Sequence, residues 1–253
     1  MSGRDIDIDY LHGLFDSAEI LDGIRQGKDQ MDDLEDHVDG SRSTLHRKMK
    51  FLRNRNLVRR DDDAFGLTPK GEAVLDGLSE FTHHIKTVEE LEPFLEHVGE
   101  TVDELSRLSG STVYTPKDGR PHYPVKRLIE SVEEASYVRG FSPVVTPTYV
   151  TVFHRRITEG MQAEIVLENP LVRVLEDEYP DKLSETVETG DFELRAYDGS
   201  IPHGLVLTDE KLLIGAYSHS SLVALVENTS EEATEWGRER FESYFAESEA
   251  KYP

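Results

Sequence analysis

An α+β N-terminal module, a helical linker and an α/β C-terminal domain make up the fold class that this 253-residue sequence predicts. Three observations predict it. Apolar residues recur every three or four positions through the N-terminal stretch and then give way to two short strand-like runs. A block of eight cations without one acid occupies residues 40–60, in a chain with 51 acidic and 28 basic residues and a formal net charge of -23. From residue 111 onward, strand-like and helix-like segments alternate, as they do in α/β domains.

Residues 11–26 put Leu11, Leu14, Ala18, Leu21 and Ile24 at helical spacing, which predicts a first helix with one face turned inward. Met31, Leu34 and Val38 predict a second, shorter one. Asp39-Gly40 then breaks the pattern, because glycine readily adopts the backbone conformation of a tight turn. Ser41 suits the N-cap of a third helix, whose buried stripe is Leu45, Met49 and Leu52. Residues 54–57 end that helix. The runs 57–60 and 64–67, separated by Asp61-Asp62-Asp63, predict a two-stranded hairpin with an acidic tip. Thr68 and Pro69 fit the N-cap and first position of a further helix. Helix, helix, turn, helix and hairpin in this order form a winged helix-turn-helix, expected over residues 1–80.

The charge distribution points the same way. An acidic excess repels phosphates, so a nucleic-acid site on this chain requires a local reversal of charge. Arg42, Arg47, Lys48, Lys50, Arg53, Arg55, Arg59 and Arg60 supply one, flanked by residues 1–39 with three cations and twelve acids and by residues 61–110 with three and thirteen. Opposite the buried stripe, the third helix carries residue types that contact phosphates and base edges. Arg42, Ser43, His46 and Arg47 are expected at base edges, with Thr44, Lys48, Lys50 and Arg53 nearer the phosphates, since a recognition helix inserts its N-terminal residues most deeply.

The run SRSTLHRKMKFLRNRNLVRRDDDAFGLTPKGEAVL resembles the recognition helix, wing and following helix of archaeal winged-helix transcription regulators, in which an S-R-S/T-x-x-R segment, an L-V strand and an L-T-P-x-G turn recur. The likeness spans roughly residues 10–80. Its one departure is the acidic wing tip, where many wings present Arg or Lys; no DNA contact is assigned to that tip.

Val74, Leu78, Phe81, Ile85, Val88 and Leu91 continue four and three apart, the seam spacing of a helix that pairs with its own copy. The same stripe would also serve to pack on the C-terminal domain. Pro93 ends or kinks the helix, and Leu95, Val98, Val102 and Leu105 resume the spacing. Residues 81–107 are thus expected to form a helical linker and dimerisation helix, consistent with the two half-sites that most helix-turn-helix proteins bind.

Over residues 108–253 strands are expected at 111–114, 137–141, 162–167, 192–196, 204–207, 211–216 and 222–226, and helices at 125–135, 146–158 and 171–183. Thr229 and Glu232 match a capping box opening a last helix with Ala233, Trp236, Arg240 and Tyr244 on one face. Tyr114-Thr115-Pro116, Tyr137-Val138-Arg139-Gly140, Ser142-Pro143-Val144-Val145, Gly204 through Asp209 and Ala233-Thr234-Glu235-Trp236-Gly237 together resemble the C-terminal domain of regulators of the methanogenesis-regulatory-protein type. That resemblance implies an effector-sensing domain. Arg139, Ser142, Tyr149, His203 and Asp209 fall at or just beyond expected strand ends, where α/β sheets collect ligands, and are the candidates for holding a small polar or anionic effector.

Catalytic signatures are incomplete. His203 and Asp209 approach the H-x-K-x-x-x-x-D pattern of phospholipase-D-type enzymes, but Leu205 stands at the Lys position, Asp209 lies one place early and no second copy exists, leaving a phosphoryl charge unstabilised. Gly27-Lys28 lacks the rest of a phosphate loop, residues 140–144 lack the closing glycine of a nucleophile elbow, and His83, His84 and His97 lack zinc spacing. The absence of cysteine excludes disulfides, thiolate metal sites and a cysteine nucleophile. No enzyme activity, cofactor or metal is expected. No apolar run nears the roughly 18 residues of a membrane span, and MSGRDIDIDY carries no leader, so a cytoplasmic protein is expected. A diffuse carboxylate coat, with 10 Lys against 18 Arg, fits a halophile. The reading is a sequence-specific, homodimeric DNA-binding transcription regulator; the alternatives are a protein-interaction module and an inactive phospholipase-D-like sensor that does not bind DNA.

Overall fold

A computed structural model describes residues 7–38, 40–61, 64–98 and 104–252. Asp39 of the expected turn, Asp62 and Asp63 of the wing tip, and Val102 lie outside the described residues. The chain divides into two compact units between His83 and His84.

The first unit contains α1 (Ile8–Phe15), α2 (Ala18–Arg25), α3 (Met31–His37), α4 (Arg42–Asn54), β1 (Val58–Asp61) and β2 (Ala64–Leu67), and α5 (Pro69–Glu90) begins in it. It is a winged helix-turn-helix. The single helix expected over 11–26 is two, because the Ser17 N–H turns back to the Leu14 carbonyl while the Ser17 carbonyl starts α2 by accepting from Ile20 and Leu21. Ser17 is buried at this corner, and both helices send apolar residues to one core with Leu34, Leu45, Met49, Leu52, Leu57 and Leu75. Each fully buried side chain of this kind stabilises the unit by about 1.5–3 kcal/mol. The stripe spacing runs evenly through the corner, which is why periodicity alone hides the break.

Caps form where the residue types direct. Ser41 Oγ accepts from the Thr44 N–H at 3.3 Å to open α4, and Thr68 Oγ1 accepts from the Gly71 N–H at 3.0 Å to open α5. A Cβ on Gly71 would stand 2.1 Å from the Leu57 carbonyl oxygen, so the glycine of the L-T-P-x-G turn lets α5 seat against the chain leaving α4. β1 pairs antiparallel with β2, Val58 opposite Leu67 through Asp61 opposite Ala64. The Phe65 N–H also donates to the Asp29 carbonyl at 2.8 Å, tying the wing to the segment before α3.

The second unit contains α6 (Glu92–Leu95), a 3-10 turn (Leu105–Leu108), β3 (Thr112–Tyr114), α7 (Tyr123–Glu134), β4 (Tyr137–Ser142), α8 (Pro147–Thr158), β5 (Gln162–Glu168), α9 (Asn169–Glu178), α10 (Pro180–Glu188), β6 (Phe192–Tyr197), β7 (Gly204–Thr208), β8 (Leu212–Ser218), β9 (Ser221–Asn228), α11 (Glu231–Glu247) and β10 (Glu249–Tyr252). The eight strands form one sheet in the order β10-β6-β5-β4-β7-β8-β9-β3. β4, β5 and β6 are parallel neighbours and the other pairings are antiparallel. Strand alternation feeds two cores, one per face. One joins Leu213, Leu225 and Leu194 to Leu128, Val132, Ile157 and Leu183 of the α7–α10 layer. The other joins Ile214, Val226 and Leu205 to Trp236 and Phe241 of α11 and to Leu91, Phe94 and Leu108.

Four departures from the sequence reading have physical causes. The helix expected over 171–183 is broken at Tyr179 because the ring of Pro180 excludes helical geometry from the residue before it. The cap of α11 is Ser230, whose hydroxyl accepts from the Ala233 N–H, and not Thr229; Asn228 fixes this register through its side-chain oxygen on the Ser230 N–H and its amide on the Leu108 and Ser109 carbonyls. β10 has no sequence signal, being a charged edge strand held by backbone pairing with β6. Finally, the helical linker expected over 81–107 also contributes to the second unit's core, in which Leu91 and Phe94 are fully buried.

Candidate functional site

The cationic block lies where helical periodicity directs it. With Leu45, Met49 and Leu52 buried, α4 exposes Ser43, His46, Arg47, Lys50 and Arg53 on the opposite face, while Thr44 and Lys48 sit half-buried on the flanks. A groove runs between this face and the wing. It is lined by His46, Lys50 and Arg53 of α4, Arg59 and Arg60 of β1, and Asp32 of α3.

Not every cation in the block is equally available. Arg42 is held on α3, with Nε 2.8 Å from Glu35 and a terminal nitrogen 3.7 Å from Asp32, although its side chain stays exposed. Arg55 stacks over Tyr10 at 4.7 Å, and Arg59 pairs with Asp61 at 2.9 Å. Arg47, Lys48, Lys50 and Arg53 form no ion pair among the described residues, and all but the half-buried Lys48 face outward. Ser43 Oγ lies 2.9 Å from Ser41 Oγ, and Thr44 Oγ1 lies 3.0 Å from it, which makes a hydroxyl cluster at the helix start. Arg59 and Arg60, counted in the basic block but not singled out as site residues, join the groove because β1 returns alongside α4. Their place in the wing strand was the available signal.

The five C-terminal candidates are dispersed. Arg139 on β4 is ion-paired with Glu164 at 2.6 Å and Glu242 at 2.8 Å. Asp209 accepts from the Ser136 N–H and hydroxyl at 2.7 and 2.8 Å; burial works to raise its pKa, but these bonds outweigh that and hold it below the usual carboxylate range. His203 is 7 % exposed, lies edge-on to Phe94 and Phe141, and among the described residues has no hydrogen-bond partner on either ring nitrogen. Burial, and secondarily the charge of Arg240, push its pKa from 6.5 down to about 4. His203 and Asp209 flank opposite ends of β7, about 20 Å apart for a strand of this length, so they cannot act as one dyad. Ser142 and Tyr149, by contrast, both line a cavity of about 130 Å³ between α8, α10 and the sheet.

The family described as the methanogenesis regulatory protein FilR1, middle domain, matches residues 121–247, just over half of the chain. The chain belongs to this family. The FilR1-type match contains all five C-terminal candidates and the cavity that Ser142 and Tyr149 line, and a second family, described as the HVO_A0261 N-terminal domain, matches residues 5–90, which contain α4 and the wing. No curated protein matches the FilR1-family chain. Among solved structures, the archaeal chromatin protein TrmBL2, described with a novel mode of DNA binding, is 12 % identical, with 93 % of each chain covered and a TM-score of 0.45. The pyocyanin biosynthetic protein PhzM is 16 % identical, covering 74 % of this chain and 61 % of that one at a TM-score of 0.24, and the O-methyltransferase NcsB1 is 13 % identical, covering 78 % and 68 % at 0.27. Likenesses this distant carry neither activity nor partner. Among the described residues no His, Asp and Glu cluster is arranged to hold a metal, and no helix is long and apolar enough to cross a membrane.

Proposed function

We propose that this chain is a homodimeric, sequence-specific DNA-binding transcription regulator whose second unit senses a small molecule. The observation that carries the reading is the cation-lined groove between α4 and the wing, on a chain whose net charge is -23. Arg47 and His46, unencumbered on the exposed face, read base edges together with Ser43. Lys48, Lys50 and Arg53 contact phosphates, with Thr44 beside them. Arg42 reaches a base only by exchanging Glu35 for it, so on this reading it also fixes the angle between α3 and α4.

The dimer reading is supported by α5, where Phe81 and Ile85 are 52 % and 42 % exposed, one turn apart, with Phe15 5.5 Å from the Phe81 ring. Apolar groups of this size on an α-helical surface favour a partner. A non-catalytic second unit is supported by the separation of His203 from Asp209 and by Leu205 at the position where a phosphodiesterase needs a cation. The carboxylate excess suits concentrated salt, which sets the conditions of the test. In high KCl, fragments from upstream of the chain's own gene should compete better than random DNA of equal length. Equal competition, or no binding, would defeat the regulator reading.

A further inference from the structure

The cavity beneath α8 and α10 is walled almost wholly by carbon: Leu128, Phe153, Ile157, Leu183, Leu213 and Leu225 are among its sides. Its polar atoms are few and gathered. Ser142 at the end of β4, Tyr149 in the first turn of α8 and Tyr217 at the end of β8 all line it, and the Tyr217 hydroxyl neighbours both of the others. The sheet is shaped to seat that tyrosine. Gly204 of β7 and Gly215 of β8 pair directly across the ladder, and a Cβ on either would come within 3.0 to 3.2 Å of the Tyr217 side chain. Two side chains are thus missing where the ring of a third must lie.

Charge is excluded from the interior. Besides Tyr149, the titratable groups on α8 and α10 that reach the lining are engaged at the rim, Lys182 donating to Thr151 at 2.9 Å and His154 meeting Glu185 at 2.7 Å. Burial raises the pKa of Tyr149 and of Tyr217, so both remain neutral donors. An ionised ligand would enter without a counter-charge, which is strongly unfavourable in apolar surroundings. The volume is also informative: an apolar cavity of about 150 Å³ stays dry and binds benzene.

We infer that this cavity binds an uncharged single-ring molecule bearing one hydroxyl or carbonyl oxygen, which meets the Tyr149 and Tyr217 hydroxyls, the Ser142 hydroxyl already donating to the Val144 carbonyl at 2.8 Å. As an effector site it rests on the sensing role proposed above, and it replaces the polar or anionic metabolite expected from strand-end residues. Arg139, His203 and Asp209 take no part in it.

Calorimetric titration of the full chain with phenol, toluene and benzoate tests the inference. Phenol should bind saturably at one site, and benzoate at least about tenfold more weakly. Tyr217→Phe should weaken phenol by about fivefold and leave toluene unchanged, the loss expected for one hydrogen bond. Val206→Phe, which fills the cavity from β7, should abolish binding of both, and Val150→Phe does the same from α8 if the first variant fails to fold. Benzoate binding as tightly as phenol, phenol binding surviving both filled variants, or no saturable binding of phenol or toluene would each overturn the site. DNA affinity is measured in parallel. Phenol binding that leaves DNA affinity unchanged supports the site and defeats the sensing role, whereas a chain that binds operator DNA but no ring compound defeats the site alone.

Discussion

The α4–wing face and the cavity of the second unit are opposite solutions to recognition. The first is open, cationic and solvated, so its strength derives from charges that remain in water and weaken with salt. The second is lined almost wholly by carbon, so its selectivity derives from volume and from what cannot be desolvated. The groove must reverse the surrounding field to attract phosphates, while the cavity selects through its apolar lining.

Perturbing each region separately sharpens this contrast. The largest effect is expected at α5. Leu78 is buried in the first unit's own core, so a charge there would unfold the unit and say nothing of a partner; Phe81→Glu with Ile85→Glu is the informative pair. Burying these charges at a dimer seam should cost several kcal/mol, about 5, and light scattering should report a folded chain of half the mass. An unchanged mass would move the interface elsewhere.

The second unit should respond to pH through His203. Its folded pKa of about 4 lies below the ordinary 6.5, so the unfolded chain takes up the proton first. Stability is therefore complete above pH 6.5 and falls as the pH drops toward 4, by roughly 3 kcal/mol from this group. Urea unfolding of the wild type and of His203→Leu across that range should give a shallower dependence in the variant. Equal slopes would mean that the ring is not held neutral by its surroundings.

Effects on the first unit should be smaller and dependent on salt. Arg47→Ala should cost about 1–3 kcal/mol of operator binding and relax sequence preference; retained discrimination between operator and random DNA would remove it from base readout. Lys50→Ala should weaken all sequences alike, by less than Arg47→Ala, and lower the slope of log affinity against log salt by about 1. A sequence-dependent loss at Lys50 would reverse the two roles.

The difference in how legible these regions were has the same origin. Ser41, Leu45, Met49 and Leu52 define the register of α4 from residues within four positions of one another, and that register alone puts His46, Arg47, Lys50 and Arg53 on one face. The wing and the Thr68 cap are equally local. Of the candidates expected at or beyond strand ends, Arg139 and Ser142 lie on β4, yet Arg139 faces Glu164 and Glu242 while Ser142, three residues further along, lines the cavity. Adjacent positions on a strand point to opposite faces, and only the strand order shows which face is hollow.

What the sequence determined by itself, then, is what short-range periodicity, capping chemistry and charge counting can express: the winged helix-turn-helix, the basic face and the succession of α/β elements. The tertiary structure decided what depends on distant partners. It divided the apolar stripe from Val74 to Leu91 between a core, an exposed patch and a second core, because burial is a property of the whole packed unit. It separated His203 from Asp209 along β7 and brought Ser142, Tyr149 and Tyr217 together from three elements. Gly204 and Gly215, eleven residues apart, become the bed of one tyrosine only when β7 and β8 pair, and no spacing rule within the chain could have marked that pair in advance.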